Sequence, residues 1–166
     1  MALTVETGEG LANAESLVTL AEVRAFALSR GQTVSATDTT LEAQIRLAHD
    51  YLLANEFRLT GCRKTRDQTL SYPRENYTLY GHIVASGTIP QGIKNVISQL
   101  VIESANIDLL PSTDGKVVVS ETVGPISTTY AAGGVAGGHP TLPRVEALLA
   151  PFLSGGLSGA LTSVRV

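Results

Sequence analysis

The chain has 166 residues, of which 43% are apolar and 16% charged, and its formal net charge is −3. This length accommodates one modest hydrophobic core, while 16 glycines and 7 prolines predict long loops or extended arms. The acidic balance argues against tight binding of nucleic acid over a broad surface. A single cysteine excludes an internal disulfide, and no stretch approaches the roughly 18 apolar residues of a membrane span. We expect a protein that is made in the cytoplasm and contacts no membrane.

Periodic apolar residues predict two helices in the first third of the chain. Thr19 and Glu22 have the spacing of a capping box, and Gly31 is a typical stop, so the first helix is predicted over about 19–30. Acidic residues in a first turn, followed by apolar residues at helical spacing, predict the second helix over about 39–56.

Farther along, the pattern changes three times. Helical periodicity disappears between 57 and 88, which predicts a long irregular loop of the kind that usually carries function. A third helix is predicted over about 90–108, a hairpin over about 116–130, and a short fourth helix over about 143–153.

These elements indicate a mainly α fold: a small bundle of three to four helices with a protruding β-hairpin, a long irregular loop and an extended C-terminal arm. We predict one domain over 1–153 and a Gly/Ser-rich arm over 154–166. A lone hairpin is only marginally stable, so a helix or a neighbouring subunit is expected to cover it.

No motif for catalysis, a metal or a cofactor is found. Leu110 stands where a phosphate-binding loop needs its first glycine, and Ala160 stands where a nucleophile elbow needs its second. The histidines, His49, His82 and His139, are too dispersed for a metal site. We therefore expect no enzyme activity, no cofactor and no metal, and we interpret His49 as a packing residue.

The strongest candidate site is a basic cluster in the irregular loop, in which five cations against Asp67 give a net charge of +4. Tyr72, Tyr77 and Tyr80 follow closely. One interpretation is a groove for single-stranded DNA, with bases stacked on the rings. The other, which we favour because these rings do not lie on a predicted strand, is an inter-subunit loop whose arginines pair with acids of a neighbour. The cations are Arg58, Arg63, Lys64, Arg66 and Arg74.

Two sequence blocks carry a resemblance to a known family. They are the opening, LTVETGEGLANAES over 3–16, and GCRKTRDQTLSYPR over 61–74. Together with Ile89-Pro90, the predicted hairpin and the closing LLAPFL at 148–153, they resemble the head-tail connector (adaptor or head-completion) proteins of tailed bacteriophages. Such proteins are often named automatically as DnaT-like single-stranded-DNA-binding proteins. The resemblance spans nearly the whole chain.

The resemblance implies a structural virion protein that forms a closed homo-oligomeric ring, commonly a dodecamer, at the portal vertex. Its expected partners are other copies of itself, the portal protein and a tail or stopper protein. The genome would pass through the ring during DNA ejection, and double-stranded DNA would be contacted only weakly. The expected location is the neck of the virion. The alternative is a single-stranded-DNA-binding accessory protein.

Three groups of residues are the candidate contacts. The basic cluster with Tyr72 would face a neighbouring subunit or DNA. Apolar hairpin residues would form a ring interface, since a heterologous contact needs an element that reaches across; these are Val117, Val119, Ile126 and Tyr130. Leu157, Leu161 and Val164 of the arm would bind a partner, which we hypothesise to be the portal protein.

Overall fold

A computed structural model describes residues 3–111, 120–123, 126–129 and 141–154, with the backbone alone for the two short middle ranges. In this part of the chain, the helices are α1 (Leu20–Leu28), α2 (Asp38–Ala54), α3 (Gln91–Ser104) and α4 (Pro143–Leu149). Short 3-10 turns follow α2 at Glu56–Arg58 and α4 at Ala150–Phe152. None of the described helices has the length and apolar character to cross a bilayer.

Helix α1 has the predicted start and stop signals at its two ends. The Thr19 hydroxyl accepts a hydrogen bond from the Glu22 N–H, and the Glu22 carboxylate accepts one from the Thr19 N–H, which completes the capping box. At the other end, Gly31 has a φ of +64°, and the N–H of Gln32 bonds to the carbonyl of Ala27 at 2.9 Å. This closure is a Schellman motif, and it fixes the positions of Arg30 and Gln32.

Helix α3 lies at the centre of the core, because α1, α2 and α4 all pack against it. Its residues from Val96 to Ile102 are all buried, as expected for a helix surrounded by others. At its first turn, Gly92 lets the ring of Phe152 approach so closely that a Cβ there would lie 2.6 Å from the ring. The segment after α4 is therefore packed onto the start of α3.

The stretch predicted as irregular contains two small antiparallel hairpins. Strand β1 (Cys62–Arg63) pairs with β2 (Arg74–Glu75), and β3 (Thr78–Leu79) pairs with β4 (His82–Ile83). Tyr80 and Gly81 connect β3 to β4 with φ values of +52° and +83°, as in a type I′ turn. Strands of two residues leave no periodic signal, which is why the sequence shows only a loop there.

The N-terminal residues fold back on themselves and onto this loop. The carboxylate of Glu6, a residue only 4% exposed, accepts hydrogen bonds from the N–H groups of Gly8, Gly10 and Leu11 at 2.7–2.9 Å. Gly8 has a φ of +102° and lies so close to Gly87 that a Cβ would be 2.1 Å from the carbonyl oxygen of Gly87. The N-terminal segment is therefore packed as part of the fold.

The predicted hairpin at 116–130 is described in part. Strands β5 (Ser120–Val123) and β6 (Ile126–Thr129) pair antiparallel, with Val123 opposite Ile126. The side chain of Ile126 is outside the described part, as are Val117, Val119 and Tyr130 and, in the C-terminal arm, Leu157, Leu161 and Val164. The proposed roles of these residues therefore stay predictions.

All four predicted helices extend too far along the chain: α1 ends at Leu28 rather than at 30, and α4 ends at Leu149 rather than at 153. Helix α2 ends at Ala54 rather than at 56, and the Asn55 side chain donates to the Tyr51 carbonyl at 2.9 Å. Helix α3 ends at Ser104 rather than at 108. Leu109 is nevertheless 4% exposed, because it packs into the core from the segment after the helix.

Candidate functional site

The basic cluster of the loop is tied to acidic groups of its own chain. Arg58, at the end of the first 3-10 turn, makes a two-point ion pair with Glu146 of α4, with nitrogen to oxygen distances of 2.9 and 2.6 Å. The hydrogen bonds from Arg58 lower the pKa of the Glu146 carboxyl. This pair joins the loop to the C-terminal helix.

Glu56 is the centre of the cluster. Its carboxylate accepts hydrogen bonds from Arg63 on β1, at 2.8 Å to Oε1, and from Arg74 on β2, at 2.9 Å. The hydrogen bond from Arg63 is the main reason that the pKa of Glu56 is lowered. Arg74 is 5% exposed and also donates to the carbonyls of Thr60 and Gly61, both at 2.7 Å. Its guanidinium group is therefore directed into the protein.

Lys64 and the residue after it connect the loop to the N-terminal segment. The Lys64 ammonium donates to the carbonyl of Gly8 at 2.8 Å and lies 3.4 Å from the Glu9 carboxylate. The Thr65 hydroxyl donates to the carbonyl of Gly10 at 2.9 Å. The two blocks that carry the family resemblance, 3–16 and 61–74, are therefore in direct contact.

Arg66 differs from the other four cations. It is exposed, and it forms no ion pair with any acid in the described ranges. Of the predicted basic cluster, it is the cation that is available to a partner.

The aromatic residues do not form a stacking surface. Tyr72 is 0% and Tyr77 6% exposed, and their rings pack edge to face with centroids 6.5 Å apart. Burial raises the pKa of both phenols. Tyr80, in the turn between β3 and β4, is 76% exposed. Tyr72, which was predicted to face a subunit or DNA, faces the core instead.

Taken together, these contacts describe a loop that holds the protein together. Sequence reasoning found the cations but missed their partners in the same chain. Glu146 is 88 residues from Arg58, and no local pattern indicates such a pairing. Glu56 lies just before the cluster, so its proximity was a usable signal. Among the described residues, no group of three or more His, Cys, Asp or Glu side chains is placed to hold a metal ion.

Comparison with known proteins gives one match. No curated protein and no solved structure matches the chain. One family profile covers residues 1–166 and carries the description "Putative DnaT-like ssDNA binding protein". Because this match extends over the whole sequence, the chain belongs to the DnaT-like single-stranded-DNA-binding family so described.

Proposed function

We propose that this chain is a non-enzymatic structural subunit of a phage head-tail connector, a ring between portal and tail in the virion neck. The proposal rests on the contacts that the cations of the basic loop make. Four of its five cations are committed to contacts within the chain. A loop of this kind fixes the shape of a subunit and leaves few charges for phosphates.

The overall charge supports the same function. A groove that binds single-stranded DNA needs a track of unpaired cations and exposed rings on which bases stack. Here the net charge is −3, and two of the three loop tyrosines are buried. An acidic protein is well suited to surround a passing genome, because dense Lys and Arg would retain every phosphate.

Exposed apolar groups on the β3–β4 hairpin provide a contact surface for assembly. Tyr80 is 76% and Ile83 86% exposed, and they lie at the turn and on β4 of the same short hairpin. In this proposal, the two side chains become buried when the subunit contacts a neighbouring protein. A closed ring requires such an element to reach an unlike surface on the next copy.

The second candidate is a single-stranded-DNA-binding accessory protein. The family description names this activity, so the comparison favours this candidate and gives no support to a connector. If DNA binds at the loop, the exposed Arg66 and Tyr80 would supply the phosphate contact and the stacking ring. They are too few for tight binding, and affinity would fall steeply with salt.

The test is the mass of the purified full-length chain by light scattering after size exclusion. It is measured alone, with portal particles and with a single-stranded oligothymidylate. A ring, or a monomer that joins the portal peak, supports the connector. A monomer that ignores portals and shifts with the oligonucleotide overturns the connector in favour of DNA binding.

A pair of variants sharpens the second outcome. Arg66→Gln should weaken binding of the oligonucleotide and reduce its salt dependence if the loop contacts phosphate. Arg24→Gln removes the same charge from α1, where Arg24 pairs with Asp38 at 2.6 Å, and serves as the matched control. Equal loss in both variants would indicate a general charge effect rather than a DNA site at the loop.

A further inference from the structure

Two arginines outside the basic loop line a surface cleft of about 370 Å³. Arg30 lies two residues after the end of α1, and Arg144 lies in the first turn of α4. Gln32 and Gln99 line the same cleft, and Ala147 and Leu148 of α4 complete its wall. The cleft thus combines guanidinium and amide groups with a small apolar surface.

Neither arginine is neutralised within the described part of the chain. Seven Lys and Arg residues there form ion pairs, and Arg30 and Arg144 are not among them. One terminal nitrogen of Arg30 donates to the carbonyl of Phe26 at 3.3 Å and lies 3.0 Å from the Ser29 hydroxyl. The guanidinium carbon lies 3.6 Å from the centre of the Phe26 ring. These contacts orient the group and leave its other nitrogens for a ligand.

The surroundings of the cleft remain positive. Glu103 lines the neighbouring cleft together with Gln32 and Arg144, and its carboxylate accepts a hydrogen bond from the Gln99 amide at 2.8 Å. Two cations therefore stand against one acid. Gln32 adds a further polar group, whose buried Oε1 has no hydrogen-bond partner among the described residues. Because that oxygen is enclosed, the groups of the cleft that a ligand can reach are chiefly its two guanidinium groups.

We propose that this cleft binds a carboxylate-bearing segment of a partner polypeptide. The carboxylate would receive hydrogen bonds from the guanidinium groups of Arg30 and Arg144. Guanidinium groups pair with carboxylates through two parallel hydrogen bonds. The inference deepens the proposed structural function, because it names the chemistry by which the subunit recognises a protein.

A protein segment fits this cleft better than nucleic acid does. The Phe26 ring is 8% exposed and is covered by Arg30, so no aromatic face is open for a base. Two cations satisfy a carboxylate but form no track along a phosphate backbone.

The experiment titrates the full-length protein into a fluorescein-labelled hexaglutamate peptide at low ionic strength and follows polarisation. Arg144→Gln should weaken binding about tenfold, as expected for one charge-assisted contact. The double variant Arg30→Gln with Arg144→Gln should weaken it further. Arg66→Gln, an equal charge change at an exposed arginine elsewhere, is the control and should bind like the wild type. Unchanged thermal unfolding of Arg144→Gln shows that the fold is intact.

Three results would overturn the cleft as a carboxylate site. They are absence of peptide binding by the wild type, equal weakening in Arg66→Gln, and preferential binding of oligothymidylate that is lost in Arg144→Gln. The outcome is separable from the test of the connector. A chain that joins portals without binding hexaglutamate overturns only the cleft. A chain that binds hexaglutamate through Arg144 but neither assembles nor joins portals overturns only the connector.

Discussion

The ring Nε2 of His49 accepts a hydrogen bond from the backbone N–H of Leu17 at 3.0 Å. His49 lies in α2 and is 3% exposed, so this bond fastens the segment before α1 to the core. An acceptor nitrogen carries no proton, which requires the neutral ring with its proton on Nδ1. Burial accordingly lowers the pKa of His49 from 6.5 to about 4.

The first prediction is a loss of stability in mild acid. Below pH 6.5, the unfolded chain takes up a proton at His49, whereas the folded chain does so only near pH 4. The contribution of neutral His49 to the free energy of unfolding should therefore be complete above pH 6.5. It should fall by about 3 kcal/mol as the pH approaches 4. Urea unfolding at several pH values measures this loss.

Two variants identify the group responsible. His49→Gln should be less stable at pH 7 and should lose most of the pH dependence between 6.5 and 5.5, a window that lies about one unit above the ordinary carboxyl pKa values. His82→Gln changes an exposed histidine on β4 and should keep the wild-type slope. A wild-type slope in His49→Gln would assign the acid sensitivity to other groups.

The second prediction concerns the centre of the basic cluster. Glu56→Gln removes the negative charge between Arg63 and Arg74, and the Arg74 side chain is only 6% exposed. Leaving a buried guanidinium without its anion should lower the free energy of unfolding by about 2–4 kcal/mol. Urea unfolding at neutral pH checks the value.

Glu9→Gln is the matched control for that prediction. The Glu9 side chain is 74% exposed and lies 3.4 Å from Lys64, so its removal should change the free energy of unfolding by less than about 0.5 kcal/mol. If Glu56→Gln were equally mild, the loop would not be the structural element that the ion pairs indicate, and its arginines would be available to a partner.

The third prediction tests the contact between the N-terminal segment and the loop. Gly8→Ala would place a Cβ 2.1 Å from the Gly87 carbonyl oxygen, at a φ of +102°. The clash and the backbone strain together should destabilise the protein by about 3 kcal/mol or more. Gly31→Ala is the control, because Gly31 has a φ of +64° but open space around it, and it should cost about 1–2 kcal/mol. Equal losses would show that the close approach to Gly87 carries no cost.

Sequence reasoning found the elements whose signals are local. The capping box of Thr19 and Glu22 and the stop at Gly31 mark α1, and apolar periodicity marks α2 and α3. The end of α3 was placed too late because Leu109 continues the apolar pattern, although it is buried from outside the helix. Apolar periodicity indicates which residues are buried, but it does not show whether the backbone is still helical at the last apolar residue.

The candidate site was harder to predict, because its geometry depends on distant pairings. From the sequence alone, Arg58 has no recognisable partner, because its partner Glu146 is placed beside it only when α4 packs in the fold. Tyr72 lies in a stretch rich in polar residues, and in a loop without periodicity nothing indicates which side chains turn inward. Tyr72 was expected at a contact surface, but it packs against Tyr77 in the core.

The last prediction concerns the exposed apolar side chains of the β3–β4 hairpin. Ile83 is 86% exposed, so Ile83→Ser should change the free energy of unfolding by less than about 0.5 kcal/mol. If Tyr80 and Ile83 bury themselves on a neighbouring copy or on the portal, the same variant should reduce assembly, as light scattering would show. Leu28→Ser, which alters a side chain 80% exposed at the end of α1, is the control and should assemble normally. Equal loss in both variants would mean that exposed apolar groups promote association without a specific site, and the hairpin would lose its proposed role.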